Sequence, residues 1–249
     1  MSVRHLEAVE WRDDRHYDVD QWPFTLPVVR QLADQRRLEI PAGVTVIVGE
    51  NGSGKSTLVE ALAAVYPRRG AESPYVDLVG NHASTEDSPL PRLLRARTAR
   101  MASPAGFFLR AEAMHSYFQR IDADPTQRRA WGGIELNARS HGESFLEVLR
   151  QRFSEVGVYF LDEPESALSF QSCLALLALL DAMRAEGSQV IVATHSPILA
   201  SLPDAALYEI GDWGMRETTY DDLDLVRSWR HYLADPGAFQ RHLFVRNED

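Results

Sequence analysis

One nine-residue stretch, Gly49-Glu50-Asn51-Gly52-Ser53-Gly54-Lys55-Ser56-Thr57, constrains this chain more than any other feature. It fits the spacing G-x-x-x-x-G-K-[ST] in full, and its flanks are those the spacing requires. Before it runs Val44-Thr45-Val46-Ile47-Val48, a β-branched run of the kind that forms a buried strand of a parallel sheet. After it, Lys55 to Tyr66 reads as a helix stopped by Pro67 and Gly70. Glycines give such a loop conformations barred to other residues, so that successive backbone N–H groups turn inward and cradle phosphate oxygens. The helix N-terminus adds positive potential at the same place. Lys55 is then expected to reach terminal phosphates and Ser56 to offer its hydroxyl to Mg²⁺, with Asn51, Gly52, Ser53, Gly54 and Thr57 completing the binding loop. The competing reading is a glycine-rich strand-to-helix turn that binds nothing.

A second apolar run, Val158-Tyr159-Phe160-Leu161, ends in Asp162-Glu163-Pro164-Glu165. A carboxylate at the end of such a strand suits a metal and its waters, which assigns Asp162 to Mg²⁺. Strand alternation is expected to turn Glu163 elsewhere, free to act as a general base on water. The bland alternative is a loop of solvated acids. A third run, Val190-Ile191-Val192-Ala193-Thr194, leads to His195, at the strand edge where ligands of open α/β sheets bind. His195 is a candidate catalytic group that senses the γ-phosphate; Ser196-Pro197 behind it also reads as a helix N-cap and N1 pair.

Elsewhere, Val3 to Trp11 reads as a strand, Asp13 to Phe24 as a loop, and Pro27 to Ala33 as a short helix or turn. Residues 71–104 are rich in Ser, Pro, Asp and Arg and are expected to form loops and short helices. Gly106 to Arg110 reads as a strand followed by a helix to about Ile121; Gly142 to Phe153 and Leu168 to Glu186 read as helices. Leu207 to Ile210 and Met215 to Tyr220 form an expected hairpin, and a helical tail from Asp221 to Leu243 is broken at Pro236-Gly237. Strands alternating with helices imply a parallel α/β sheet. The length, 249 residues, suits one domain with a helical and loop subdomain at about 71–153.

The formal net charge of −10 disfavours sequence-independent nucleic-acid binding, which needs clustered Lys and Arg. Cys173 is the one cysteine, so no intrachain disulfide and no zinc site built from Cys can form, and a reducing cytoplasm fits. Its apolar neighbours read it as a small buried hydrophobe. The longest apolar stretch, Cys173 to Leu180, falls far short of the roughly 20 residues a membrane helix needs. No direct membrane insertion is expected, and the N-terminus has no signal-peptide pattern.

The three sites, in this order, resemble the ABC-type ATPases. Arg139-Ser140-His141-Gly142-Glu143-Ser144 looks like the signature motif of that family, usually Leu-Ser-Gly-Gly-Gln, with Ser140 and Gly142 matching and His141 and Glu143 departing. Ser166-Ala167-Leu168 resembles the D-loop. More narrowly, Gly106-Phe107-Phe108-Leu109-Arg110-Ala111-Glu112 and Leu161-Asp162-Glu163-Pro164-Glu165 are similar to a small stand-alone bacterial group labelled "predicted ATPase" of AAA type. The resemblance implies an α/β P-loop NTPase fold of ABC type: a mainly parallel central sheet flanked by helices, an antiparallel portion and a helical subdomain. It implies ATP and Mg²⁺ as ligands, hydrolysis of ATP, and a head-to-tail homodimer in which Ser140 and Gly142 of one copy cap the γ-phosphate held by the other. Where the family places a glutamine after the strand Gly106 to Arg110, Arg110 and Glu112 stand instead; they touch the metal's water or the nucleotide, or form a surface salt bridge. Tyr17, Trp22 and Phe24 are candidates for stacking on adenine.

Four readings of the output stay open: a switch acting on a protein or nucleic-acid partner, the ATPase subunit of a membrane transporter, a small-molecule kinase, and a passive nucleotide sensor. No long heptad pattern lies between Lys55 and Ser140, so a coiled-coil arm is not expected.

Overall fold

The run Val44–Gly49 forms a strand (β3) that lies at the centre of the molecule, hydrogen-bonded in parallel on both sides. In the computed structural model, residues 4–66, 88–113, 123, 145–147, 149–150 and 155–244 are described. Ahead of β3 come β1 (Leu6–Trp11), α1 (Pro27–Gln35) and β2 (Arg37–Glu39). Behind it come α2 (Lys55–Val65), β4 (Leu94–Thr98), β5 (Gly106–Arg110), β6 (Val158–Asp162), α3 (Phe170–Glu186) and β7 (Gln189–Thr194). β8 (Ala206–Gly211), β9 (Gly214–Glu217), α4 (Asp224–Ala234) and α5 (Pro236–Leu243) complete the chain.

The main sheet has the order β5-β6-β7-β3-β8-β9. Every pair is parallel except the hairpin β8-β9. The expected mainly parallel α/β sheet with an antiparallel portion is therefore what the chain forms. Strand pleating sorts the central residues between two cores. Val44, Val46 and Val48 join Leu109, Tyr159, Leu161, Val190 and Val192 under α3, through Leu176, Leu180 and Met183. Ile47, Phe108, Phe160, Ile191 and Ala193 face the other way, onto Leu58, Val59 and Leu62 of α2 and onto the α1 side. Burial on both faces explains why these strands are continuously apolar rather than alternating. Each fully buried Leu, Val or Phe contributes on the order of 1.5–3 kcal/mol from water exclusion.

A second, antiparallel sheet of order β2-β1-β4 packs on the α2 side. It corrects the expectation for 71–104: Leu94-Arg95-Ala96-Arg97-Thr98 is a strand, not a loop or short helix. The two sheets are tied by Gln189, fully buried at the start of β7. Its Oε1 accepts from Leu6 N at 2.8 Å, and its Nε2 donates to Leu6 O at 2.9 Å and Pro41 O at 2.6 Å.

Helix ends follow local chemistry. Tyr66, extended because Pro67 follows, stops α2. Ser169 Oγ accepts from Ser172 N at 3.2 Å to open α3, two residues later than the sequence suggests, and Gly187 at φ 101° closes it. Asp235 caps Ala238 N at 3.0 Å, so the break at Pro236-Gly237 starts a new helix. Of the helix expected at 111–121, Ala111–Ala113 forms a short 3-10 turn and the remainder lies outside the described residues, as does most of the subdomain expected at about 71–153.

Candidate active site

Parallel pairing brings the C-terminal ends of β3, β5, β6 and β7 to one edge, with Val48 beside Thr194 and Asp162 flanked by Arg110 and Ala193. The candidate residues from distant parts of the sequence meet there because the strands carry them to the same rim.

From the end of β3 the chain turns through Gly49 to Gly54 into α2. Gly49 cannot be larger: a Cβ there would lie 2.5 Å from Ile210 O of β8. Gly52 and Gly54 take φ of 80° and 99°, in the left-handed region that glycine tolerates. Lys55, the first residue of α2, is 2% exposed, and its Nζ donates to Glu50 O at 2.9 Å, folding the ammonium back under the loop. Burial holds Lys55 below its ordinary pKa, against the pull of Glu163, Asp162 and Glu165. Ser53 Oγ is buried without a hydrogen-bond partner. A cavity of about 140 Å³ is lined by Gly52, Gly54, Lys55, Ser56, Thr57, Glu163, Leu26 and Trp22.

Asp162 ends β6 and is 3% exposed. Burial raises its pKa, opposed by the charge of Arg110 and by the Ser56 hydroxyl. Arg110 Nε donates to Asp162 Oδ2 at 3.1 Å, and Arg110 Nη2 donates to Glu60 Oε2 on α2 at 3.0 Å. Arg110 is thus a bridge between the acidic strand end and α2, whereas Glu112 is exposed in the next turn. Asp162 Oδ1 is buried and unpartnered.

Glu163 departs from the expectation that strand alternation aims it. Its N–H still donates to Ala193 O at 2.9 Å, but its backbone sits at φ 48°, ψ 49°, left-handed and unusual for a non-glycine residue. The turn, not the pleat, separates its direction from that of Asp162. Such strain costs roughly 1–3 kcal/mol and collects at working sites. Opposite, His195 Nε2 lies 3.1 Å from Glu163 Oε1, an ion-pair distance whose angle does not make a hydrogen bond. Ser196 Oγ accepts from Ile198 N at 3.2 Å and Leu199 N at 3.4 Å, so the Ser-Pro pair caps a short 3-10 turn behind the histidine.

Among the three aromatic candidates, Tyr17 and Phe24 are committed to a cluster with Trp11, at ring-centroid distances of 4.6 to 6.4 Å. Trp22 is 52% exposed and lines the phosphate-loop cavity. Ser140 and Gly142, with the rest of the signature-like motif, lie outside the described residues. Two contributors carry no assignment from the sequence. Glu60 is the only acid in α2, which was a usable signal. Glu165 was visible as a third carboxylate in a four-residue window, but its partners are set by the fold.

Two family models match, on either side of the site. "AAA domain" matches residues 28–67, spanning the phosphate loop. "AAA domain, putative AbiEii toxin, Type IV TA system" matches residues 144–201, spanning the acidic strand end and His195. The chain is 28% identical over 189 residues to a ribose import ATP-binding protein of Roseobacter denitrificans, a match covering 69% of this chain and 37% of that protein. It is 29% identical over 192 residues to an arabinose import ATP-binding protein of Burkholderia ambifaria, covering 68% and 37%. These matches support an ABC-type ATPase superfamily for the chain. These matches span little more than a third of the length of the curated ABC relatives. Among solved structures, the SMC head domain from Thermotoga maritima aligns at 16% identity with a TM-score of 0.46, covering 86% of this chain and 98% of that one. Among the described residues, no helix is long and apolar enough to cross a membrane.

Proposed function

We propose that the chain binds Mg·ATP at the loop Asn51 to Thr57 and hydrolyses it to ADP and phosphate, as a switch whose homodimer opens and closes on a protein or nucleic-acid partner. The observation that carries this reading is the convergence of Lys55, Asp162, Glu163 and His195 on one sheet edge. The residues also fit the metal. Asp162 presents a buried, unpartnered Oδ1 beside the Ser56 hydroxyl. That donor set suits a hard cation held by one carboxylate and one hydroxyl, with phosphate and water filling the remaining positions. Bound there, Mg²⁺ neutralises charge on the phosphate oxygens.

The protein groups divide the remaining work. Loop N–H groups and the Lys55 ammonium bind and orient the terminal phosphates. Glu163 takes a proton from the attacking water, and His195, beside it, donates a hydrogen bond to the γ-phosphate. Trp22 stacks on adenine, because it alone of the three candidate rings is both exposed and at the loop. Ser140 and Gly142 of a second copy close the site over the γ-phosphate. The reaction takes place in the cytoplasm.

Adding γ-labelled ATP with Mg²⁺ tests the reaction: label is expected in inorganic phosphate, and label on a small-molecule acceptor would mean a kinase. Light scattering of Glu163→Gln protein with Mg·ATP is expected to show twice the monomer mass; an unchanged mass at high concentration removes the sandwich dimer. The similarity to sugar-import ATP-binding proteins favours a second reading, the ATP-binding subunit of a membrane transporter. Co-purification of the ATP-locked form with a multi-span protein would select it.

A further inference from the structure

The mechanism above leaves one half-buried carboxylate at the site, that of Glu165, without a task. Glu165 sits in the 3-10 turn Pro164–Ala167, one residue beyond the proline that follows Glu163. Its Oε1 accepts from the backbone N–H of His195 at 2.5 Å, and the Thr194 hydroxyl donates to the same carboxylate. Its Oε2 is buried without a partner. We propose that Glu165 is a positioning residue: by holding the Thr194-His195 segment against the turn after β6, it sets the Glu163–His195 spacing. The proposal rests on the ATPase reading of the site.

The geometry shows why such a clamp is needed. Ladder bonding between β6 and β7 ends with Glu163 N on Ala193 O. Beyond that bond the two chains part, one into a left-handed residue and the 3-10 turn, the other toward Ser196 and its cap. The Glu165 bonds join them past the last rung, within two residues of both Glu163 and His195. A carboxylate on an N–H makes a stronger bond than a neutral acceptor. Burial nevertheless works against a charge here, since it pushes the Glu165 carboxyl above its usual range. An apolar residue would hold a merely structural turn at lower cost. A carboxylate is the better choice where the position of the neighbouring histidine matters, since a misplacement of about 1 Å can cost on the order of 10²-fold in rate.

The test compares Glu165→Ala, Glu165→Gln and Thr194→Val with the unmodified chain. It measures kcat and KM for ATP, the Mg·ATP dissociation constant by calorimetry, and exchange of the His195 amide by NMR. Expected for Glu165→Ala is a fall in kcat of roughly 10- to 100-fold, with KM and the dissociation constant within about threefold. Glu165→Gln keeps an acceptor and should recover most of that loss, and Thr194→Val should lie between. The His195 amide should exchange at least about tenfold faster in Glu165→Ala, the loss of one charge-assisted bond. An unchanged kcat, a parallel loss of Mg·ATP affinity, or a glutamine no better than alanine overturns the proposal. If Glu165→Ala does not fold, Glu165→Gln and Thr194→Val decide it by the same split. If the unmodified chain releases no phosphate, the ATPase reading fails by itself. The clamp is then judged on His195 exchange alone, and equal exchange in all four proteins sinks it.

Discussion

Arg110 and Asp162 are register partners at the ends of adjacent parallel strands, and the arginine Nε donates to the aspartate Oδ2 at 3.1 Å. An arginine therefore stands where the resemblance to ABC-type ATPases calls for a glutamine. It already supplies positive charge to the carboxylate assigned to Mg²⁺, while its other arm holds Glu60 of α2. The acidic strand end and the helix that follows the phosphate loop are joined through this one guanidinium.

Replacing that cation should separate fold from metal. Arg110→Gln leaves Asp162 buried without its counter-charge. Removing one partner of a buried pair costs up to about 3–5 kcal/mol, and partial exposure of Arg110 should bring the loss nearer 1–2 kcal/mol. Freed of a competing cation, Asp162 should bind Mg²⁺ more readily. Thermal melts should drop while the Mg²⁺ concentration for half-maximal ATP binding falls several-fold; a rise in that concentration would mean that Arg110 assists the metal.

Lys55 should cost the ligand-free protein stability. Its pKa is depressed by burial, so the folded state favours the neutral amine. For a depressed group, stability is present above the unfolded value near 10.5 and is lost as pH falls through the folded value. Below the folded value the ammonium carries the full cost of its burial. Lys55→Met is thus expected to melt at or above the unmodified chain near neutrality, with the difference shrinking as pH rises through the folded value. The variant should lose stabilisation by Mg·ATP. A difference that grows with pH would contradict the sign.

Trp22 and Tyr17 should behave oppositely. Base–aromatic stacking is worth about 1–3 kcal/mol, so Trp22→Ala should raise the ATP dissociation constant roughly tenfold and leave the melting temperature nearly unchanged. Tyr17→Ala removes a ring packed 5.1 Å from Trp11 and 4.6 Å from Phe24, and should lower the melting temperature with little effect on ATP. Calorimetry and thermal melts on both variants check the pair.

Gln189→Leu should be costly far from the chemistry. It strands the Leu6 amide and carbonyl and the Pro41 carbonyl in the interior. Unsatisfied buried groups of this kind cost about 1–3 kcal/mol each before relaxation. A total near 3 kcal/mol corresponds to a melting-point drop of roughly 6–12 °C in a chain of this size. A drop under about 2 °C would show that the two sheets do not depend on this side chain.

What the sequence revealed depended on whether a residue's role was fixed by its own neighbours. β3 and the loop after it were legible because strand, glycines, lysine and helix follow one another without a gap. Asp162 and His195 were legible because each ends an apolar run, and parallel strands deliver such ends to one edge. β4 was not, since Leu94 to Thr98 alternates with arginines and is an edge strand paired with β1 alone. Three-residue β2 carried too short a pattern. Tyr17, Trp22 and Phe24 could not be told apart, because only packing commits two of them to the Trp11 cluster. The partners of Glu165 lie 30 residues away and exist only once β6 and β7 are paired.

Phosphate release from Mg·ATP by the unmodified chain and by Glu163→Gln, under saturating nucleotide and with binding followed in parallel, bears most directly on the central claim. A general base contributes about 10²–10⁴-fold, so turnover should fall by that order while Mg·ATP stays bound as tightly as before. Equal turnover in the two proteins would contradict the assignment of Glu163, and no turnover in either would contradict hydrolysis at this site.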